Sequence, residues 1–187
     1  CDAMESVVLP ANVSKIGKNP FVGCDSLTGI YFAEDCANYQ SIRGVLYNAD
    51  VTEVISFPCK ESTYTAPATV TSVGPYAFAE SSNVYNVHFP TPLTVVGEGA
   101  FEDCTALRTI NYATSVDRSL SVKTIEKNAF AGCTTLLDLT LYDVELIGEG
   151  AFNTCKSLFT LRIKGSPKIE KEAFLNCYDL SSLGLGD

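Results

Sequence analysis

The apolar positions of this chain recur in a single pattern. From Ile147 to Ile163 the sequence has the form I-G-x-x-A-F-x-x-C-x-x-L-x-x-L-x-I, and the segment from Ile169 to Leu185 keeps the same spacing. Self-similarity with a fixed period is typical of solenoid repeat proteins, in which stacked units share one core. The sequence therefore indicates a repeat array. The phenylalanine of the pattern recurs at Phe21, Phe78, Phe101, Phe130, Phe152 and Phe174.

The spacing within one unit predicts its secondary structure. The last two apolar positions alternate as in a half-buried strand, and a second short extended segment, V-x-x-[IV], lies on the return side. Between them, A-F-x-x-C-x-x-L spaces its apolar residues as a single helical or 3₁₀ turn does. We expect a solenoid that is a right-handed β/α superhelix, mainly β, with a parallel sheet on one face and one inserted β-hairpin.

We interpret residues 1–187 as a single array of about eight rungs, where a rung is one turn of the coil. The strands of these rungs are centred near residues 7, 30, 64, 87, 110, 139, 161 and 183. The chain begins inside the pattern, because Cys1, Met4, Val7 and Leu9 keep the spacing C-x-x-L-x-x-L-x-L. We therefore expect the chain to be a piece of a longer protein.

Two intervals between rungs are longer than the others. Between the second and third rungs the A-F-x-x-C turn is missing, and residues 42–58 contain two β-rich runs on either side of Asn48-Ala49-Asp50. This segment predicts a hairpin, whose second strand ends at Pro58 because proline cannot donate a hydrogen bond to a sheet. Between the fifth and sixth rungs, the insertion at residues 115–120 predicts a surface loop.

Most of the eight cysteines follow the same repeat. Neighbouring strands lie about 4.8 Å apart, so distance alone permits disulfides between adjacent rungs. Side chains stacked in register have an unfavourable dihedral geometry for such bridges, and Ser81 occupies the same position in another unit. We favour free thiols, because free Cys behaves as a small buried apolar residue. A bridge between Cys36 and Cys59, at the two ends of the hairpin segment, remains open. The cysteines at the repeat position are Cys1, Cys24, Cys104, Cys133, Cys155 and Cys177.

Charge and motifs argue against catalysis and against nucleic-acid binding. The net charge is −9, whereas nucleic-acid binding requires clustered Lys and Arg. The one histidine, His88, occupies an outward strand position, and no catalytic motif, phosphate-binding loop or C-x-x-C pair occurs. The longest apolar runs are too short to insert into a membrane. We expect a protein that is not an enzyme and that needs no metal or cofactor.

The repeat resembles a known family. The pattern I-G-x-x-A-F-x-x-C-x-x-L-x-x-[IL]-x-[IL], followed by proline, is similar to the BspA-type leucine-rich repeats, also called the Treponema pallidum type, over essentially the whole chain. Residues 44–67 resemble the hairpin-bearing repeat of that family. The resemblance implies a leucine-rich-repeat solenoid and a secreted or cell-surface protein that takes part in adhesion. Ser81 in place of Cys, Pro20 in place of Ala and the long fifth interval depart from the pattern but touch no functional motif.

Architecture and resemblance together favour a protein-binding or adhesion module whose ligand is a protein, such as a host extracellular protein. The alternatives are a structural spacer that carries another domain and a non-catalytic segment of a larger enzyme. Specificity must come from positions that do not repeat, because the repeated positions are needed for packing. The candidate face comprises Tyr31, Asn86, His88, Asn111, Thr140, Tyr142, Arg162 and Lys164.

Adjacent rungs should place Asn111, Thr140 and Arg162 in one row of this face. Tyr142 and Lys164 should form the neighbouring row. The alternative site is the hairpin, because an insertion that protrudes from a stack often carries binding residues. Its candidate residues are Tyr47, Asn48 and Asp50.

Overall fold

The chain folds into a coil whose rungs stack on one another. The computed structural model describes residues 1, 3–112 and 119–186. Within these ranges the chain forms sixteen short strands and no helix. The strands are β1 (Ser6–Leu9), β2 (Gly29–Phe32), β3 (Tyr39–Ile42), β4 (Val45–Asn48), β5 (Glu53–Ser56), β6 (Thr63–Thr65), β7 (Ser72–Val73), β8 (Asn86–Phe89), β9 (Leu93–Val96), β10 (Thr109–Tyr112), β11 (Ser119–Ile125), β12 (Asp138–Tyr142), β13 (Leu146–Ile147), β14 (Thr160–Lys164), β15 (Lys168–Ile169) and β16 (Ser182–Leu185).

The strands at the predicted rung centres fall in three hydrogen-bonded groups, which we together call the first sheet. In parallel pairs, β1 joins β2, β8 joins β6 and β10, and β14 joins β12 and β16. The register places Val7 opposite Ile30. It places Leu161 between Leu139 and Leu183. These partners are the predicted rung centres, so the parallel stacking and its register are confirmed.

A second parallel sheet runs along the return side of the coil. It contains β5, β7, β9, the second half of β11, β13 and β15. Val54, Val73 and Val96 occupy matching positions on the first three of these strands, and Ile125 and Ile147 continue the row. These residues include the apolar ends of the V-x-x-[IV] segments, which the spacing predicted as extended.

Strand β11 belongs to both sheets. Ser119 and Leu120 pair with β12 in the first sheet, whereas Val122 pairs with β9 in the second. The prediction of a surface loop at residues 115–120 is therefore wrong for its last two residues. Both are buried, and Leu120 packs in the main core. Residues 115–118 of that prediction lie outside the described part of the chain.

The A-F-x-x-C segments do not form the helical or 3₁₀ turns that their spacing predicted. In each of the five segments from Phe78 onward, two residues have positive φ angles. They are the residue before Ala and the residue four positions later, as at Asn128 (55°) and Gly132 (74°). A right-handed helix requires a negative φ at each residue. The two left-handed residues therefore prevent a helix from extending across the segment. Gly99 and Asp103 hold the same two places one rung earlier.

Phenylalanine rings of successive rungs stack in one column. Phe101, Phe130 and Phe152 are fully buried, with ring centroids 5.1 and 5.2 Å apart. The column also includes Phe57, whose ring centroid lies 4.7 Å from that of Phe78. Phe57 therefore fills the place of the missing A-F-x-x-C turn. The pattern did not reveal this, because F-P-C is one residue shorter than F-x-x-C.

Repeat cysteines donate their S–H groups to the preceding rung. Cys133 Sγ lies 3.2 Å from the carbonyl oxygen of Phe101, and Cys155 Sγ lies 3.1 Å from that of Phe130. All eight cysteines are free thiols, in agreement with the interpretation favoured from the sequence. The position therefore requires a small side chain that can also donate a hydrogen bond, and Ser81 meets the same requirement.

The two cysteines outside the repeat position lie in different surroundings. Cys59 joins the cysteine column, where its sulfur lies 3.8 Å from the hydroxyl oxygen of Ser81. Cys36 instead donates its S–H group to the carbonyl oxygen of Val13 at 3.7 Å. The bridge that the sequence left open is absent, because each thiol is engaged elsewhere.

Strands β4 and β5 form the predicted antiparallel hairpin, but this hairpin does not protrude from the stack. β3 adds a third antiparallel strand beside β4, and β5 joins the second sheet through β7. Tyr47 and Val54 pack into the main apolar core, whereas Leu46 and Ile55 pack into a smaller core of the first two rungs. The hairpin β4–β5 is therefore a partition with a core on each face.

The turn of this hairpin depends on Asn48. Its side-chain oxygen accepts hydrogen bonds from the N–H groups of Thr52 and Glu53 at 2.8 and 3.0 Å. Replacing Asn48 with Ala should lower the free energy of unfolding by about 1–2 kcal/mol, because both donors lose their acceptor. Urea denaturation measures the change. The exposed turn residue Asp50, changed to Ala, is the control, and an equal loss in both variants would contradict this role for Asn48.

Candidate partner-binding surface

The outer face of the first sheet exposes residues that do not repeat. Side chains along β12 and β14 alternate between the core and this face, and Thr140, Tyr142, Arg162 and Lys164 lie on the outer side. Arg162 lies directly opposite Thr140, and Lys164 lies opposite Tyr142. Tyr142 is 40% exposed. These four predicted residues form one continuous surface, which we call the β12–β14 patch.

Three other predicted residues lie on β8 and β10. His88 faces outward and is half-buried, and Asn111 lies opposite it. The predicted row that placed Asn111 beside Thr140 is therefore wrong, because β11 enters the sheet and puts Ser119 there. The side-chain oxygen of Asn86 accepts a hydrogen bond from the neighbouring strand. That of Asn111 is buried and has no hydrogen-bond partner within the described ranges.

Tyr31 lies on β2, in a part of the first sheet that does not pair with β12 or β14. Its strand neighbour is Val8 of β1. The side chain is 43% exposed, and its ring lies over Gly29, where a Cβ atom would collide with the phenol. The structure therefore does not bring Tyr31 together with the β12–β14 patch.

The hairpin residues are less accessible than the sequence predicted. Tyr47 is 2% exposed, and its hydroxyl oxygen lies 3.2 Å from that of Tyr64. Burial raises the pKa of both phenols. The prediction that Tyr47 contacts a ligand at the surface is therefore wrong, because its side chain packs in the main core. Asn48 holds the turn, and of the three residues of the alternative site Asp50 is the exposed one.

The two cations of the patch have different surroundings from the lysines of the second sheet and its turns. Lys123 and Lys127 have carboxylate partners on the next rung at 3.3 and 3.1 Å. Across the described ranges, no carboxylate lies within ion-pair distance of Arg162 or Lys164. The protein has a net charge of −9, yet neither of these two cations forms an ion pair in the described part of the chain.

An apolar ridge beside the patch was missed by the sequence analysis. Leu137 and Phe159, which immediately precede β12 and β14, are 42% and 55% exposed. They lie on adjacent rungs, because the Phe159 N–H donates to the Leu137 carbonyl oxygen at 2.7 Å. The available signal was an apolar residue at a variable position directly after a buried Leu. Other units have Thr28, Tyr85, Arg108 or Ser181 at that position.

The described ranges lack metal-binding clusters and membrane-spanning helices. No group of three or more His, Cys, Asp or Glu side chains there is placed to hold a metal ion. No helix in the same ranges has the length and apolar character needed to cross a membrane.

The coil, its parallel sheets and the column of stacked rings define a leucine-rich-repeat solenoid. The chain matches the family model described as the BspA type leucine rich repeat region, in six copies over residues 1–118 and 57–181. The chain therefore belongs to the BspA-type leucine-rich repeat family. The resemblance identified from the repeat pattern is confirmed.

Solved structures of bacterial leucine-rich repeat proteins share the fold. A leucine rich cell surface protein from Faecalibacterium prausnitzii has a TM-score of 0.84 at 28% identity, over 97% of this chain and 48% of that chain. The pneumococcal vaccine antigen PcpA has a TM-score of 0.79 at 25% identity, over 96% and 44%. A leucine-rich repeat protein from Eubacterium ventriosum, at 24% identity, has a TM-score of 0.78 over 97% and 49%.

This chain spans about half the length of these solved proteins, or less. Comparison with curated proteins finds no match.

Proposed function

We propose that the chain is a non-enzymatic protein-binding module and that it binds through the β12–β14 patch. The observation that carries this proposal is the juxtaposition of Tyr142, Arg162 and Lys164 on neighbouring strands of an otherwise repetitive surface. Strands about 4.8 Å apart let one ligand contact several of these side chains at once. Tyr and Arg are also the residue types most often found as binding hot spots.

The similar proteins support a location outside the cell. One is a cell surface protein and another is a vaccine antigen. We infer that the module is displayed at the cell surface or secreted, where it takes part in adhesion. Its ligand is then an extracellular protein, such as a host protein.

A structural spacer is the second candidate function. Stacked rings run without a break from Phe57 to Phe174, which suits a stiff rod that carries another domain. A spacer needs no binding surface. The two functions therefore differ in whether the outer face of the first sheet binds a ligand.

The double variant Tyr142→Ala, Arg162→Ala tests the protein-binding function. Both side chains lie outside the core, so the variant should keep its fold. We expect at least one purified plasma or extracellular-matrix protein to bind the wild type. Its affinity should fall by about tenfold or more in the variant, because two hot-spot side chains are lost. Biolayer interferometry with immobilised chain gives both affinities.

The matched control is Tyr85→Ala, Arg43→Ala, which removes an exposed tyrosine and an exposed arginine outside the patch. This control should bind like the wild type. Unchanged binding in the patch variant, with loss in Asp50→Ala, would move the site to the hairpin. Binding to no protein of the panel would favour the spacer.

A further inference from the structure

We propose that the partner of this face is an extended acidic segment with an apolar side chain at one end, lying along β12 and β14. The apolar end contacts Leu137 and Phe159, and the acidic end contacts Arg162 and Lys164. This inference rests on the proposed protein-binding function. It adds the chemical character of the ligand and the end of the strands at which its acidic residues bind.

The surface along these two strands has chemically different ends. Leu137 and Phe159 lie before the first residues of β12 and β14, and Tyr142 and Lys164 are the last residues of the same strands. Five residues of extended chain separate the two ends, which is about 17 Å. A ligand of about five or six extended residues therefore covers the whole distance.

Charge fixes which end receives the acidic residues. Arg162 and Lys164 are without carboxylate partners in the described ranges, and Lys164 is the last residue of β14, at the end away from the apolar ridge. A ligand carboxylate is therefore attracted towards that end of the strands. Asp143, beyond the end of β12, accepts a hydrogen bond from the Ser121 hydroxyl at 2.7 Å, so its carboxylate is held on the β11 side of β12, opposite to β14.

The surroundings of Arg162 leave space for a carboxylate. On the following strand its partner is Gly184, which has no side chain to cover the guanidinium group. Arg162, Lys164, Ser182 and Gly184 line a recess of about 160 Å³. A guanidinium group with open access can bind a carboxylate through two parallel hydrogen bonds.

A protein segment fits this surface better than an anionic polysaccharide does. Phe159 and Leu137 are more than 40% exposed and adjacent, and such paired apolar side chains are stabilised by covering them with another apolar group. A sulfated polysaccharide offers charge to Arg162 and Lys164 but no large apolar group for the ridge. The combination of ridge and cations therefore favours a peptide ligand.

Selection from phage-displayed random dodecapeptides against the intact chain tests the proposal. Wild-type chain should enrich peptides with an aromatic or aliphatic residue several positions from two or more Asp or Glu. The affinity of an enriched, fluorescein-labelled peptide should fall by about tenfold in Arg162→Gln, Lys164→Gln. It should fall by about fivefold or more in Leu137→Ser, Phe159→Ser, which removes the ridge.

The control variant is Lys123→Gln, Lys168→Gln, which changes the net charge equally but removes lysines that are already ion-paired. It should bind like the wild type. Binding should also weaken as salt rises, since exposed charges are screened. Enrichment of peptides without acidic residues, or equal losses in the two charge variants, would overturn the proposal. So would heparin binding that depends on Arg162 and Lys164 without any acidic peptide being enriched.

The two proposals fail in different ways. If a panel protein loses affinity in Tyr142→Ala, Arg162→Ala but binds Arg162→Gln, Lys164→Gln like the matched charge control, the protein-binding function stands and the acidic ligand is wrong. If neither panel proteins nor peptides bind the wild-type face, both proposals are wrong.

Discussion

Replacing Phe130 with Ala should lower the free energy of unfolding by about 3–5 kcal/mol. The ring is fully buried between those of Phe101 and Phe152, so its removal opens a cavity inside the column. The neighbouring rungs cannot close that cavity easily, because backbone hydrogen bonds such as Phe130 N–H to the Ala151 carbonyl oxygen fix their spacing. Urea denaturation of the variant and the wild type measures the loss.

Phe159→Ala is the matched control for this prediction. The same ring is removed, but Phe159 is 55% exposed. The expected change is within about 0.5 kcal/mol, as for most surface substitutions. Similar urea midpoints for Phe130→Ala and the wild type would mean that the ring column does not stabilise the fold.

The folded protein should lose stability as the pH rises above about 8.5, the ordinary pKa of a thiol. Burial raises the pKa of Cys104 and Cys133 well above that value, so the unfolded chain releases these protons first. The stability that such groups contribute is complete below the unfolded-state pKa and is lost as the pH rises towards the folded-state pKa. Each thiol should therefore remove about 1.4 kcal/mol per pH unit.

Urea denaturation under reducing conditions, at about pH 8 and about pH 9.5, measures this decline across the start of thiol ionisation. Cys133→Ala should decline less steeply than the wild type, by about the contribution of one thiol. Parallel pH profiles for Cys133→Ala and the wild type would show that Cys133 ionises equally easily in both states.

The repeat pattern was sufficient to predict the rungs because the same physical requirement acts in each of them. The apolar residues at the centres of β12 and β14 must face the main core, those of β1 and β2 must face the smaller core, and this fixes the register. The turns were predicted less well. Apolar spacing does not report backbone φ, and left-handed conformations at residues such as Tyr76 and Thr154 give no signal in an apolar pattern.

Departures from the repeat were the hardest features to predict. Phe57 and Cys59 complete a rung with one residue fewer than the pattern, and β11 passes from one sheet to the other. In the candidate site, too, residues on regular strands were placed correctly and a residue next to an irregular interval was not. Thr140 and Arg162 are neighbours because both lie on regular strands, whereas Asn111 was misplaced because it precedes an irregular interval.

The partition formed by β4 and β5 affects how the array can come apart. In a repeat protein each unit is held mainly by its neighbours, so opening that begins at one end can pass from unit to unit. Here the two cores share one pair of strands, with Leu46 facing one core and Tyr47 the other. Unfolding that starts at either end removes the core on one face of β4 and β5. To go further, it must also detach these strands from the core that still packs against their other face. The hairpin thus acts as a boundary between two cooperative units, and neither unit melts completely without weakening the other.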